Sequence, residues 1–238
     1  MRALTPAELL DLCDAGQAGT PIERTLLLLR SACADAEAID QWTLGLLNAR
    51  LLELRTLLFG RQLECLANCP QCDATSETEL DCDAMRSLAV QSATTASTMH
   101  DLEFGGQRIP FRLPNAADLI ELGRAPRADG MHLLRRIADV RDGTRDADLA
   151  GIAEGLARQL GEQDPLAHIE LVLRCPECGH GWSEPLYLID MLWAEIAALA
   201  SRLTQEVAHL AHAFGWREAD ILAMSPRRRQ RYLEQIAT

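Results

Sequence analysis

The chain has 238 residues, 48% of them hydrophobic and 24% charged, which suffices for a buried core in one or two domains and lacks the composition of a disordered segment. Its formal net charge is −12, and all 23 basic residues are arginine. The acidity argues against a protein that coats nucleic acid or lies on an anionic membrane. The lack of lysine removes Schiff-base chemistry, a lysine general base and a Walker-type phosphate site. No apolar run approaches a membrane span, and Met1–Gly16 reads as a capped helix and not as a signal peptide, so a cytoplasmic protein is expected.

Taken in chain order, the pattern starts helical. Thr5-Pro6 is a cap followed by proline at the first helical position, and Gly16 and Gly19 close that helix. A second helix starts near Pro21, with Ile22, Leu26, Leu29 and Cys33 at helical spacing. A third, from Thr43 to Phe59, carries Leu44, Leu47, Leu51, Leu54 and Leu58 on one stripe and ends at Gly60. Cys13 and Cys33 sit in these patterns as small core residues. From Gln62 the period changes to two, and Thr75–Asp81 reads as a short strand. Ser87–His100 is small and hydroxyl-rich, the composition of a linker. Leu102–Phe104 and Arg108–Leu113 flank Gly105-Gly106 as a hairpin, and Asn115 caps a helix through Leu119 and Leu122. Helices are expected near Met131–Val140 and Asp146–Leu160. Asp164-Pro165 reads as another cap-and-proline start, and Ile169, Leu171 and Leu173 alternate as a strand. The longest helix carries Leu188, Leu192, Ile196, Leu199, Leu203, Val207, Leu210 and Phe214 on one stripe and ends at Gly215. A short helix near Glu218–Ala223 precedes a last one, capped by Ser225-Pro226 and ending at Ile236.

The chemistry lies in the cysteines. Eight in a chain expected in a reducing compartment do not suggest a disulfide framework, and two pairs share one local pattern, Cys-Pro-X-Cys: Cys69-Pro70-Gln71-Cys72 and Cys175-Pro176-Glu177-Cys178. Two thiolates two residues apart on a proline-stiffened turn hold one edge of a zinc tetrahedron, and two such turns close a four-thiolate site. Gly179 supplies the left-handed backbone that such a knuckle needs. The expected ligands of a single structural Zn2+ are therefore Cys69, Cys72, Cys175 and Cys178. Buried, unligated thiols would not explain the doubled pattern. A local set of Cys65 and Cys82 with the first pair would strand the second, and His180 stands beside the second pair as a further substitute. A closed four-thiolate site leaves no position for water, so it is not expected to be catalytic. His209 and His212, three apart on the long helix, read as a solvated face. Paired acids such as Asp139 and Asp142 read as helix ends. No G-x-S-x-G, P-loop or G-x-G-x-x-G occurs, and no catalytic residue is predicted.

At the C-terminus, Arg227, Arg228, Arg229 and Arg231 open the last helix. Arginines there oppose the helix macrodipole, which asks for an anionic partner in this or another protein. A helix-turn-helix-like end beside a zinc ribbon is compatible with nucleic-acid binding, but Glu218, Asp220 and Glu234 dilute the charge. That reading is kept as the alternative.

Several stretches together resemble a family. They are Trp193-Ala-Glu-Ile, Glu206-Val-Ala-His-Leu and Phe214-Gly-Trp-Arg-Glu-Ala-Asp-Ile-Leu-Ala-Met-Ser-Pro-Arg-Arg-Arg-Gln-Arg-Tyr-Leu-Glu. Upstream, Leu44-Gly45, Leu54-Arg55, Phe59-Gly60, Phe111-Arg112-Leu113-Pro114, Asp118-Leu119 and Asp164-Pro165 belong to the same pattern. The chain is similar, over most of its length, to the chaperone-like baseplate hub assembly proteins of T4-type contractile phage tails and their relatives in contractile injection systems. The paired knuckles match the injection-system branch better, with Asp73 standing where glycine is usual. The resemblance implies a non-enzymatic assembly role, with hub, spike or wedge proteins as partners and possible incorporation in the tail particle. On that reading, the segment Trp216–Ile236, with Trp216, Arg227, Arg228, Arg229, Arg231 and Tyr232, meets the partner.

The expected architecture is α+β and predominantly helical. It comprises an N-terminal helical region (1–60), the first knuckle and strand (61–85), a linker (86–100), a hairpin-plus-helix insertion (101–168), the second knuckle (169–187), and the long helix with its helix-turn-helix-like end (188–238). No internal repeat beyond the doubled Cys-Pro-X-Cys pattern is evident in the sequence.

Overall fold

Thr5 and Thr20 each start a helix by the same reciprocal exchange. The threonine hydroxyl accepts the N–H three residues on, and the glutamate there (Glu8 or Glu23) accepts the threonine N–H at 2.8 Å. With proline in the first turn, these boxes set α1 (Pro6–Gly16) and α2 (Pro21–Ala32). A 3-10 turn (Ala36–Gln41) leads to α3 (Leu44–Phe59), capped by Thr43 and closed by Gly60 at φ +91°. The computed structural model describes residues 1–34, 36–88, 98–124, 129–141 and 144–236.

Two strands follow, β1 (Gln62–Asn68) and β2 (Thr75–Asp81), antiparallel, with Cys65 opposite Thr78. A short α4 (Cys82–Ser87) follows them. The second hairpin joins β3 (Met99–Phe104) to β4 (Gln107–Arg112) through Gly105 and Gly106, both at positive φ as a two-residue turn of this hand requires. Asn115 and Asp118 then cap one another's backbone at the start of α5 (Ala116–Arg124). Helices α6 (Gly130–Ile137) and α7 (Asp146–Gln163) lead into the third hairpin, β5 (Glu170–Arg174) and β6 (Gly181–Pro185). The chain ends in α8 (Leu188–Phe214), α9 (Glu218–Leu222) and α10 (Pro226–Ile236), with Gly215 left-handed at the α8 C-cap.

Two apolar clusters hold these elements. The larger joins α1, α2, α3 and β1 to the N-terminal half of α8, with Leu28, Leu29, Leu51, Leu52, Leu54, Leu192 and Ile196 fully buried. At roughly 2 kcal/mol for each such side chain, this cluster is the main favourable term. The smaller sets Leu102, Ile109 and Phe111 of the second hairpin against Leu134, Ile137, Ile152 and Leu156. Helix α8 is the spine, touched by α1, α2, α3, α9 and α10. The buried Arg55 ties the end of α3 to it. Its guanidinium donates to both Glu195 oxygens (3.2 and 2.9 Å) and to the carbonyls of Gly60 and Gln62, which locks the entry to β1 against α8.

The first and third hairpins repeat one another. Their registers coincide at a constant offset of 106 residues, as from Cys69 to Cys175: Asn68 pairs with Thr75 as Arg174 pairs with Gly181, and Ala67 with Ser76 as Leu173 with Trp182. The helices after them, α4 and α8, start at Cys82 and Leu188, the same offset apart, and a long helix (α3 or α7) precedes each hairpin. Gly45 and Gly151, Glu64 and Glu170, Leu80 and Leu186, and Met85 and Met191 are identical across it. The correspondence therefore extends beyond the doubled Cys-Pro-X-Cys pattern through both strands of the hairpin to the start of the helix that follows.

Two further expectations change. Asp164-Pro165 starts no helix. Asp164 is the C-cap of α7, residues 165–168 form turns and bends, and β5 follows. Of the expected linker (86–100), Arg86 and Ser87 end α4, Met99 and His100 open β3, and 89–97 lie outside the described residues.

Candidate metal centre

Each of the equivalent hairpins turns through six residues, Cys69–Ala74 and Cys175–His180. In the first turn Cys69 N–H donates to Ala74 O (2.9 Å) and Asp73 N–H to Cys69 O (2.9 Å). In the second, Cys175 N–H donates to His180 O (2.8 Å) and Gly179 N–H to Cys175 O (3.0 Å). The residue after each second cysteine is left-handed, Asp73 at φ +59° and Gly179 at φ +75°. Asp73 thus adopts the glycine conformation. Aspartate is among the few L-residues that reach this region at modest cost.

The turns bring the four expected ligands together. The Sγ atoms of Cys69, Cys72, Cys175 and Cys178 lie within 4.8 Å of one another, with Cys69 to Cys178 at 3.7 Å and Cys72 to Cys175 at 3.6 Å. A tetrahedron with metal–sulfur bonds of about 2.3 Å has edges of about 3.8 Å, so the spacing suits a tetrahedral ion. Cys69 and Cys175 are buried, while Cys72 and Cys178 face solvent. Cys175 is held down to about 7, chiefly by the Cys178 N–H. At Cys72 the Ala74 N–H favours the thiolate, yet the crowding sulfurs of Cys175, Cys178 and Cys69 push it up to about 12. Four thiols this close cannot all ionise unless a cation shares the charge, which is the condition that a thiolate-bound metal meets.

Cys65, Cys82 and His180 stand outside the cluster. Cys65 and Cys82 are buried in the larger apolar core, where burial raises both thiols, and the His180 ring stacks over Trp182 at 6.3 Å. The four cysteines thus form a metal-compatible set. His209 and His212 are exposed on α8.

The C-terminal candidates divide. Arg227, Arg228 and Arg231 are exposed, with Arg228 above the Tyr232 ring at 5.9 Å. Trp216 and Tyr232 are half-buried and meet edge to face at 4.8 Å, with Phe214 stacked on Trp216 at 4.5 Å. Arg229 does not belong with them. It is 3% exposed, donates to Glu206 of α8 at 2.7 Å and to Met224 O at 2.7 Å, and so fastens α10 to α8. Its anionic partner is in this chain.

Sequence reasoning missed Asp164. It is buried, and its carboxylate accepts the Gly45 N–H at 2.9 Å, which completes the N-terminus of α3. Only the helix break at Asp164-Pro165 marked it in the sequence. No helix among the described residues is long and apolar enough to cross a membrane. No family model, curated protein or solved structure matches the chain.

Proposed function

We propose that the chain is a non-enzymatic assembly protein whose two knuckles form a zinc ribbon around one structural Zn2+ and whose C-terminal end docks on a protein of a contractile tail or injection system. The observation that carries the zinc is the spacing of the four sulfurs on two equivalent turns 106 residues apart. Soft thiolates at tetrahedral spacing favour zinc over hard cations, and four protein ligands leave no open position for substrate or water. The ion then staples the two repeats, and its work is structural.

The assembly role rests on the resemblance of the Trp193–Glu234 stretches to baseplate hub assembly proteins. The exposed Arg227, Arg228 and Arg231 beside the Phe214–Trp216–Tyr232 cluster support it, since aromatic and arginine side chains dominate protein interfaces. Hub, spike or wedge proteins are the proposed partners.

The test is purification of the tagged protein from its native host, with nuclease treatment, followed by mass spectrometry. Recovery of baseplate, spike or sheath components, lost with Arg227→Ala/Arg228→Ala/Arg231→Ala, is expected. Recovery of polymerase or ribosomal proteins that nuclease removes would instead assign the ribbon and the arginine helix to nucleic acid. Arg229 is left intact because its substitution would loosen α10 from α8.

A further inference from the structure

A groove of about 400 Å³ runs between the first and third hairpins beside the first turns of α8. Leu66, Leu171, Leu173, Tyr187, Met191 and Ala194 give it an apolar lining, in which Leu66 is 70% and Tyr187 64% exposed. Among the described residues, the charged ones that line it are Glu184 and Asp190. Neither forms an ion pair among the described residues. An occupant that satisfies the groove therefore brings apolar side chains and positive charge together.

One such surface is on this chain. Arg227, Arg228 and Arg231, also exposed and without an ion pair among the described residues, share α10 with Tyr232, which Arg228 overlies at 5.9 Å and Trp216 meets edge to face. It lies at the other end of α8. Tyr187 and Asp190 flank the helix start, while Arg229 holds α10 to Glu206 and Tyr232 meets Phe214 at the helix end, 16 to 27 residues on, which at about 1.5 Å per residue separates the two surfaces by roughly 25–40 Å. The two surfaces of one molecule are too far apart to meet. We infer that the groove receives the arginine-bearing end of a second copy of this chain, in a head-to-tail contact.

Such a contact is heterologous: each copy keeps a free groove at one end and a free arginine end at the other, so association extends beyond a dimer unless the rotation closes a ring. The charge pairing acts mainly on encounter and register, and the apolar lining supplies the burial. The same arginine end carries the proposed assembly role, so a second copy and a tail protein would compete for it; self-association of the purified chain, and the Glu184 and Asp190 side of the contact, are read with no tail protein present.

Sedimentation velocity of the full chain tests it, at rising protein concentration and at low and high salt. Oligomers that grow with concentration and shrink at high salt are expected. Glu184→Lys/Asp190→Lys removes the groove's charge complementarity, and Arg227→Gln/Arg228→Gln/Arg231→Gln removes that of the end. Each variant, checked for native circular dichroism, should associate at least tenfold more weakly. An equimolar mixture should restore one contact only, the intact groove of the second variant with the intact end of the first. It should form a one-to-one dimer and nothing larger. A wild-type chain that stays monomeric to about 200 µM overturns the inference. So does association that either variant leaves unchanged, or a mixture that stays monomeric.

Discussion

Asp164, at the end of α7, hydrogen-bonds the Gly45 backbone in the first turn of α3, 119 residues earlier in the chain. A Cβ on Gly45 would sit on the Asp164 carboxylate, so the glycine is required by the close approach. Burial pushes the carboxyl up, against the Gly45 N–H and the Thr43 side chain, which favour its ionised form. Gly45→Ala should cost about 3 kcal/mol, the range of a buried steric conflict. Asp164→Ala, which orphans the N–H, should cost about 1–3 kcal/mol. The double variant should cost less than the sum, because removing the carboxylate makes room for the methyl. Urea unfolding of the four proteins decides it.

The four-thiolate centre makes a sharper prediction. Elemental analysis should find one zinc per chain. Cys69→Ser and Cys175→Ser should each lose the metal, with melting lowered by roughly 10 °C or more, because metal-binding free energy is folding free energy in such sites. Cys65→Ser and Cys82→Ala should keep full zinc, since those thiols lie in the apolar core. Full occupancy in Cys175→Ser would remove the site as assigned.

Local signals were legible and distant ones were not. Thr5-Pro6, Gly60, Gly105-Gly106 and Gly215 each act within a few residues, so sequence placed those ends correctly. The four clustered cysteines were legible because the pattern Cys-Pro-X-Cys occurs twice. The rest of the repeat was hidden because hairpin register survives almost any side chains of fitting burial: Cys65 stands at the place of Leu171, and Ser76 at that of Trp182. Asp164 was misread because aspartate before proline suggests a helix start. Its partner is a helix N-terminus that only tertiary folding brings near.

At their left-handed position the knuckle turns carry different residues, Asp73 in the first and Gly179 in the second. Gly179→Ala adds a Cβ at φ +75° and should destabilise by about 1 kcal/mol. Asp73→Gly, at φ +59°, should be neutral to slightly stabilising, since relief of the left-handed strain is partly offset by the greater freedom of glycine when unfolded. Thermal melts of the zinc-loaded variants give both signs.

Asp118 predicts a pH dependence. Its side chain is 1% exposed, and Arg112 forks onto it at 2.6 and 2.8 Å, with Arg136 at 3.1 Å. Burial alone would raise the carboxyl; the Arg112 fork, the Asn115 N–H and Arg136 outweigh it and hold it below its ordinary 3.8. The folded state thus binds the proton more weakly than the unfolded one. The stability this contributes is present above pH 3.8 and lost as pH falls below it. Asp118→Asn removes the counter-charge of two guanidiniums that stay partly exposed to water, and should cost about 1–3 kcal/mol at pH 6. The gap between variant and wild type should narrow toward pH 3.

Arg229 and its neighbours should separate folding from binding. Arg229→Ala leaves Glu206 facing an emptied buried position and frees the Met224 carbonyl, a loss of about 2–4 kcal/mol. Arg227→Ala and Arg231→Ala, exposed and unpaired among the described residues, should change stability by less than about 0.5 kcal/mol. Arg228→Ala forfeits only a surface contact with Tyr232, worth about 0.5–1 kcal/mol. A binding defect in Arg229→Ala alone would then reflect a detached α10. A defect in Arg227→Ala or Arg231→Ala, with melting unchanged, identifies a side chain that meets a partner. If Arg229→Ala melts with the wild type, the fastening of α10 through Glu206 is not what holds this end of the chain.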